Sequence, residues 1–218
     1  MIYTYLITFC TIIMNNIEII NKTERFVQKY MDNYDDSHNF NHALRVKNLA
    51  IKIAKSENMS EEEIFEITIA ALVHDVSDHK YKSETSQENI LKTFLKGLLI
   101  EEIVDRVVYL ACNVSLSKEV NSITRNISYN LTKQLVVIRD ADRIESLGAM
   151  GISRYYMFGI VNRNSNIQNI VENIEQRTNI LIKSIKTTLG KKISEDKYKI
   201  VKLFIEDYYN TIHNYHNY

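Results

Sequence analysis

Apolar residues recur every three to four positions along most of this chain, the spacing that lines one face of an α-helix, and strand-like alternation is scarce. The chain has no proline and only five glycines, so few positions force a helix to stop. The periodicity predicts a helix over 17–30 and a second from about 37 to 54, whose apolar stripe is Ala43, Val46, Leu49, Ala50 and Ile53. Ser60 followed by Glu63 is a capping box that opens a third helix, carrying Ile64, Ile67, Ala71 and Leu72 inward and ending in the polar run HDVSDHK. Further helices are expected over 84–96, 99–114, 132–147, 150–158, 167–189 and 194–215, with 115–130 as a polar surface loop. Gly148 and Gly151 bracket a tight junction between two of them. The expected fold is an all-α bundle with short connections.

At 218 residues the chain suits one globular unit: an N-terminal helical extension over 1–33, then the main domain with its C-terminal helices over 34–218. Lys+Arg and Asp+Glu balance at 27 each, so net charge suggests no nucleic-acid partner, and any phosphate preference must come from a local cluster. Cys10 and Cys112 have neither metal-ligand spacing nor a disulfide framework, which suits a reducing, cytoplasmic setting. The apolar run at 1–14 lacks a basic start and a small-residue cleavage site and is too short to span a bilayer. It is read as an extra helix or strand packed on the domain, or as an extension ahead of Met14, and no membrane partner is expected.

Three places combine residues able to do chemistry. His38 and His42 are four apart, hence on one helix face, with Arg45 a turn further on. The pair His74-Asp75 closes an otherwise apolar helix, where a charged pair is costly unless something satisfies it. A divalent metal would, since imidazole and carboxylate both ligate such ions. Later, the apolar run 135–138 gives way to Arg139, Asp140, Asp142, Arg143 and Glu145. Asp140 and Asp142 point in different directions on a helix, so one could bind a metal while the other orients a neighbouring group. Taken alone, each stretch also reads as a solvated charged face.

Taken together, YDDSHNFNHALRV at 34–46, ALVHDVSDHKY at 71–81, SLSKE at 115–119 and DADRIESLGAMGISRYY at 140–156 resemble the HD-domain superfamily of metal-dependent phosphohydrolases. The resemblance is to the branch of small uncharacterised HD phosphohydrolases that includes nucleotide pyrophosphohydrolases, and it runs from about residue 34 to 158. It implies an HD-domain helical bundle with one divalent ion held by His42, His74, Asp75 and Asp142, with Asp140 the alternative fourth ligand. Manganese is the ion expected first, then magnesium, cobalt or nickel. It further implies a small phosphorylated substrate, in the first place a nucleotide. Asp78 is then the candidate proton acceptor, and Asp140 a further catalytic candidate. His38, Arg45, Lys80, Lys82 and Arg143 are the candidate phosphate contacts, each of which also has a structural reading as a cap, surface charge or ion pair. The chain departs from many relatives at Asn39, where they carry aspartate, and at Asn113-Val114, where some carry histidine. A catalytically silent nucleotide-binding module is the alternative function. A two-iron oxygenase would need further histidines, for which His38 and His79 are available. Oligomeric state is left open.

Overall fold

The structure is a computed structural model that describes residues 2–77, 85–124 and 131–215, without the side chains of 2–13, 121–124 and 215. Asp78, His79, Lys80 and Lys82 therefore lie outside the described residues. All the regular structure described is helical: α1 (Ile2–Tyr30), α2 (Phe40–Ser56), α3 (Glu61–Val73), α4 (Gln87–Leu95), α5 (Glu101–Cys112), α6 (Leu116–Thr124), α7 (Lys133–Glu145), α8 (Gly148–Arg163), α9 (Ile167–Ser184) and α10 (Thr188–Tyr215).

The bundle is built around α3. Every residue from Ile64 to Val73 is buried, the pattern of a helix surrounded on all sides, and α1, α2, α5 and α7 pack around it. Fully enclosed side chains such as Ile67, Ile69, Leu72, Ile53 and Ile138 each contribute roughly 1.5–3 kcal/mol of burial. The capping box is present as expected: Ser60 accepts from the Glu63 amide at 3.2 Å, and Glu63 accepts from the Ser60 amide at 2.9 Å. A smaller cluster, Ile170, Ile174 and Val201, joins α9 to α10 with Tyr155 and Phe204 against it. No helix among the described residues is long and apolar enough to cross a membrane.

Several boundaries differ from the sequence expectation, each for a local or long-range reason. Over its described residues, 2–14, the apolar N-terminal run is part of α1 rather than a separate element. Helix α2 starts after Asn39, whose side chain caps it by accepting from the His42 amide at 3.3 Å, while Ser37 is held in the preceding turn by Asp35. Helix α6 forms inside the segment expected to be a loop. Its buried Glu119 pairs with Arg143 and Arg139 of α7, a tertiary partnership that no polarity pattern displays.

The helix expected over 167–189 ends instead at Ser184, and α10 begins at Thr188 rather than near residue 194. Neither proline nor glycine marks that break. It is made from a distance by Asp140 of α7, fully buried, which accepts from the Lys186 amide at 3.0 Å and the Thr187 amide at 2.7 Å. The Thr187 hydroxyl donates to the same carboxylate at 2.8 Å and accepts from the Gly190 amide at 3.2 Å, capping α10. A side chain at Gly190 would run into Thr187 and Asp140. Asp140→Ala would leave these buried donors without a partner. It is expected to cost about 2–4 kcal/mol in a denaturant titration, with divalent-ion binding largely kept. An unchanged midpoint would remove this structural role.

Candidate metal centre

The polar turn that follows α3 and one face each of α2 and α7 meet at a single point. His42 is fully buried on the first turn of α2, His74 caps the end of α3, and Asp142 comes from α7. One ligand atom from each of these three lies within 4.8 Å of the other two. Asp142 Oδ1 is 3.5 Å from His42 Nε2 and 3.7 Å from His74 Nε2. Asp75 Oδ2 joins them at 3.3 Å and 3.4 Å from the same two nitrogens.

The ring orientations identify what the cluster can hold. His74 Nδ1 is 2.8 Å from the Ala71 carbonyl, and His42 Nδ1 is 3.3 Å from Glu145 Oε2. Both partners can only accept, so each Nδ1 carries the hydrogen and each Nε2 is turned to the cluster. Both Nε2 atoms are buried and lack a hydrogen-bond partner among the described residues, because the carboxylates lie at ion-pair distance without hydrogen-bond alignment. Ligands about 2.1 Å from a common ion stand roughly 3.0–3.5 Å apart, close to the spacings found. Two imidazole nitrogens with carboxylate oxygens suit zinc, manganese or a similar divalent ion.

Electrostatics agree. Burial and the nearby Arg154 both push the His42 pKa down, yet Asp142, Asp75 and Glu145 outweigh them and raise it to about 9. Burial likewise opposes protonation of His74, but Asp75 and Asp142 raise its pKa. Burial works against charge on Asp75 and Asp142 too, and the two histidines hold both well below the usual carboxylate range. The cluster thus demands a cation, whether protons or a metal. Metal entry must displace the His42 proton, held up to about pH 9, so affinity rises with pH toward that value. Titrations with Mn²⁺ at pH 6 and pH 8 should differ by on the order of 10- to 100-fold, with proton release on binding. A pH-independent affinity would exclude this competition.

The cluster opens into a cavity of about 750 Å³. His74, Asp75 and Asp142 line it, together with Arg154 and Arg163 of α8 and Arg177 of α9. His38 also lines it, with its ring 5.4 Å from that of Phe158. Arg163 places its guanidinium 5.1 Å from the centre of the same Phe158 ring. Lys118 of α6 lines the cavity and donates to the Cys112 carbonyl at 2.6 Å.

The remaining residues singled out from the sequence fall in different places. Asp140, expected to take part in catalysis or to serve as the alternative ligand, does not line the cavity; its oxygens serve the start of α10. Arg143 lines the cavity but is committed to Glu119 and to the Ser184 carbonyl at 3.1 Å. Arg45 is bound through its Nε to Glu145. Sequence reasoning did not assign Glu145, Arg154, Lys118, Arg163 or Arg177. Glu145 was recoverable in part, since it stands three residues from Asp142 on the same face of α7. The arginines of α8 and α9 carry no motif.

A family model of the HD domain matches residues 39–147, half of the chain. The chain belongs to the HD-domain family. Its His-Asp pair and His/His/Asp cluster are those of a metal-dependent phosphohydrolase of that family. Among curated proteins it is 31% identical over 148 residues to an uncharacterised protein, L803, of Acanthamoeba polyphaga mimivirus. It is 26% identical over 154 residues to the uncharacterised YpgQ of Bacillus subtilis. These matches cover 64% and 66% of this chain, and 61% and 68% of the respective relatives. The fold is shared with B. subtilis YpgQ in its ADP complex, with a TM-score of 0.73 and 22% identity over 90% of this chain and 96% of that one. It is shared too with an HD-superfamily hydrolase of Bacillus thuringiensis, with a TM-score of 0.68 and 24% identity over 91% and 98%.

Proposed function

We propose that this protein hydrolyses a phosphate ester or phosphoanhydride bond of a nucleotide or similar small phosphorylated compound, using one divalent ion, manganese in the first place. The observation that carries this reading is the pair of buried Nε2 atoms facing Asp142, without a hydrogen-bond partner among the described residues, beside a cavity that three arginines also line. The fold shared with YpgQ, which binds ADP, supports a nucleotide as the substrate.

His42, His74 and Asp142 would hold the ion, with Asp75 as the fourth ligand. Bound there, it would polarise a phosphoryl oxygen and acidify the attacking water. The chain's own residues do the rest. Arg154, Arg163 and Arg177 face the region where a phosphate chain would lie, and cations placed there favour charge growing on phosphoryl oxygens. Phe158, Tyr155 and His38 give the same cavity aromatic surface against which a base or sugar can pack. Asp78, three residues after Asp75, is the proposed acceptor of the water proton. Lys80 and Lys82 are further phosphate contacts on the same segment. His38 and Arg143 line the cavity, with Arg143 paired to Glu119, whereas Arg45 is bound to Glu145. A cytoplasmic setting suits this chemistry and the two widely separated cysteines.

The test is a screen of nucleoside mono-, di- and triphosphates with Mn²⁺, Mg²⁺, Co²⁺ and Ni²⁺ in turn, reading phosphate and pyrophosphate separately. Metal-dependent release of either product is expected. Tight nucleotide binding without turnover under every ion would favour the silent binding module instead.

A further inference from the structure

Glu145 lies at a junction that the reaction as described does not use. It is a buried carboxylate on the face of α7 that also carries Asp142. Its Oε2 stands 3.3 Å from His42 Nδ1 and accepts from Arg154 Nη1 at 2.7 Å, while its Oε1 accepts from Arg45 Nε. Burial pushes its carboxyl pKa up, but His42, Arg154 and Arg45 overcome this and hold it down to about 2. Arg154 reaches two ways. Its Nε donates to the Ser37 carbonyl at 2.5 Å, in the turn where the Ser37 hydroxyl meets His38 Nδ1 at 2.6 Å. Arg154 and His38 both line the cavity. One carboxylate therefore joins the back of a metal-binding imidazole to two groups of the substrate wall, bridging α2, α7 and α8.

We propose that Glu145 is a positioning residue that couples the metal centre to the substrate wall. It fixes His42 with Nε2 toward the ion and aims Arg154 into the cavity. The proposal rests on the metal-centre reading above. A carboxylate behind a metal-binding histidine selects its tautomer, holds its ring plane and raises its basicity, and losing such a partner typically costs 10- to 100-fold in metal affinity. Here the same loss also releases Arg154, so a single substitution reaches both the metal cluster and a cavity-lining arginine.

The experiment measures Mn²⁺ affinity by titration calorimetry without substrate, and kcat and KM at saturating Mn²⁺ for the best substrate from the screen. Glu145→Ala is expected to bind Mn²⁺ roughly 10- to 100-fold more weakly and to show a raised KM even when the ion is saturating. Arg154→Met, which leaves the Glu145 to His42 contact in place, should raise KM while keeping Mn²⁺ affinity within about threefold. Glu145→Gln can keep one acceptor oxygen toward His42 and should fall between, with roughly 3- to 10-fold weaker Mn²⁺ binding. Circular dichroism accompanies each variant. If Glu145→Ala loses its helical signal, the near-isosteric Glu145→Gln decides in its place. Mn²⁺ affinity within twofold of the unsubstituted protein in the folded variant overturns the proposal, provided that His74→Ala loses the ion. Retention by His74→Ala as well would overturn the metal-centre reading itself, and the proposal with it.

Discussion

Asp142→Ala is expected to lose tight divalent-ion binding, by more than the roughly 100-fold that an indirect partner can account for. Asp142 is the only α7 carboxylate in the cluster whose oxygen faces both Nε2 atoms, at 3.5 Å and 3.7 Å. Removing it leaves two buried histidines and Asp75, too few donors to displace the protons that the site otherwise retains. His74→Ala and Asp75→Ala should lose the ion in the same way, with helical circular dichroism largely unchanged. Asp140→Ala is the contrasting variant: less stable, but still able to take up about one ion per chain. Metal analysis of the purified variants decides this, and full occupancy in Asp142→Ala would take away the basis of the assignment. Full loss in Asp140→Ala with a native circular dichroism spectrum would transfer the ligand role to that residue.

The second large effect is expected at Asp78. A group that acts only in moving a proton is not needed for holding the ion, so Asp78→Asn should bind Mn²⁺ and substrate near normally. Its kcat should fall on the order of 10²- to 10⁴-fold, the usual size of a general acid–base contribution. A carboxylate that must be ionised to accept a proton also sets the acidic limb of the pH–rate profile, and that limb should shift or vanish in the variant. Near-full kcat with an unchanged acidic limb would exclude Asp78 as the acceptor. Asp140 would not replace it from its present position, because its oxygens serve Lys186 and Thr187.

The cluster was legible in the sequence because its members are costly where they stand. His74-Asp75 ends a largely apolar, buried helical run, and Asp142 follows another apolar run, so a compensating ion was the simplest reading. What spacing could not separate was the two sides of α7. Asp142 and Glu145 share one side facing His42, while Asp140, Arg139 and Arg143 anchor α10, α6 and the loops around them. The charged string at 139–145 looks uniform, and only the partners, most of them distant in sequence and up to 103 residues away, assign each member its role. The same cause hid α6 and the 185–187 break, both fixed by contacts to α7 rather than by turn residues.

The arginine wall has a consequence for how this enzyme's properties are distributed along its gene. Residues 39–147 carry the cluster that would perform bond cleavage, whereas Arg154, Arg163 and Arg177 lie beyond that stretch. On the reading proposed above, the metal cluster and the arginines are thus written in consecutive passages. Exchange of α8 and α9 between family members should therefore shift which phosphate compounds are accepted and how fast, with the metal-holding residues unchanged. The one joint such an exchange must respect is Arg154 with Glu145, where the two passages are stitched together.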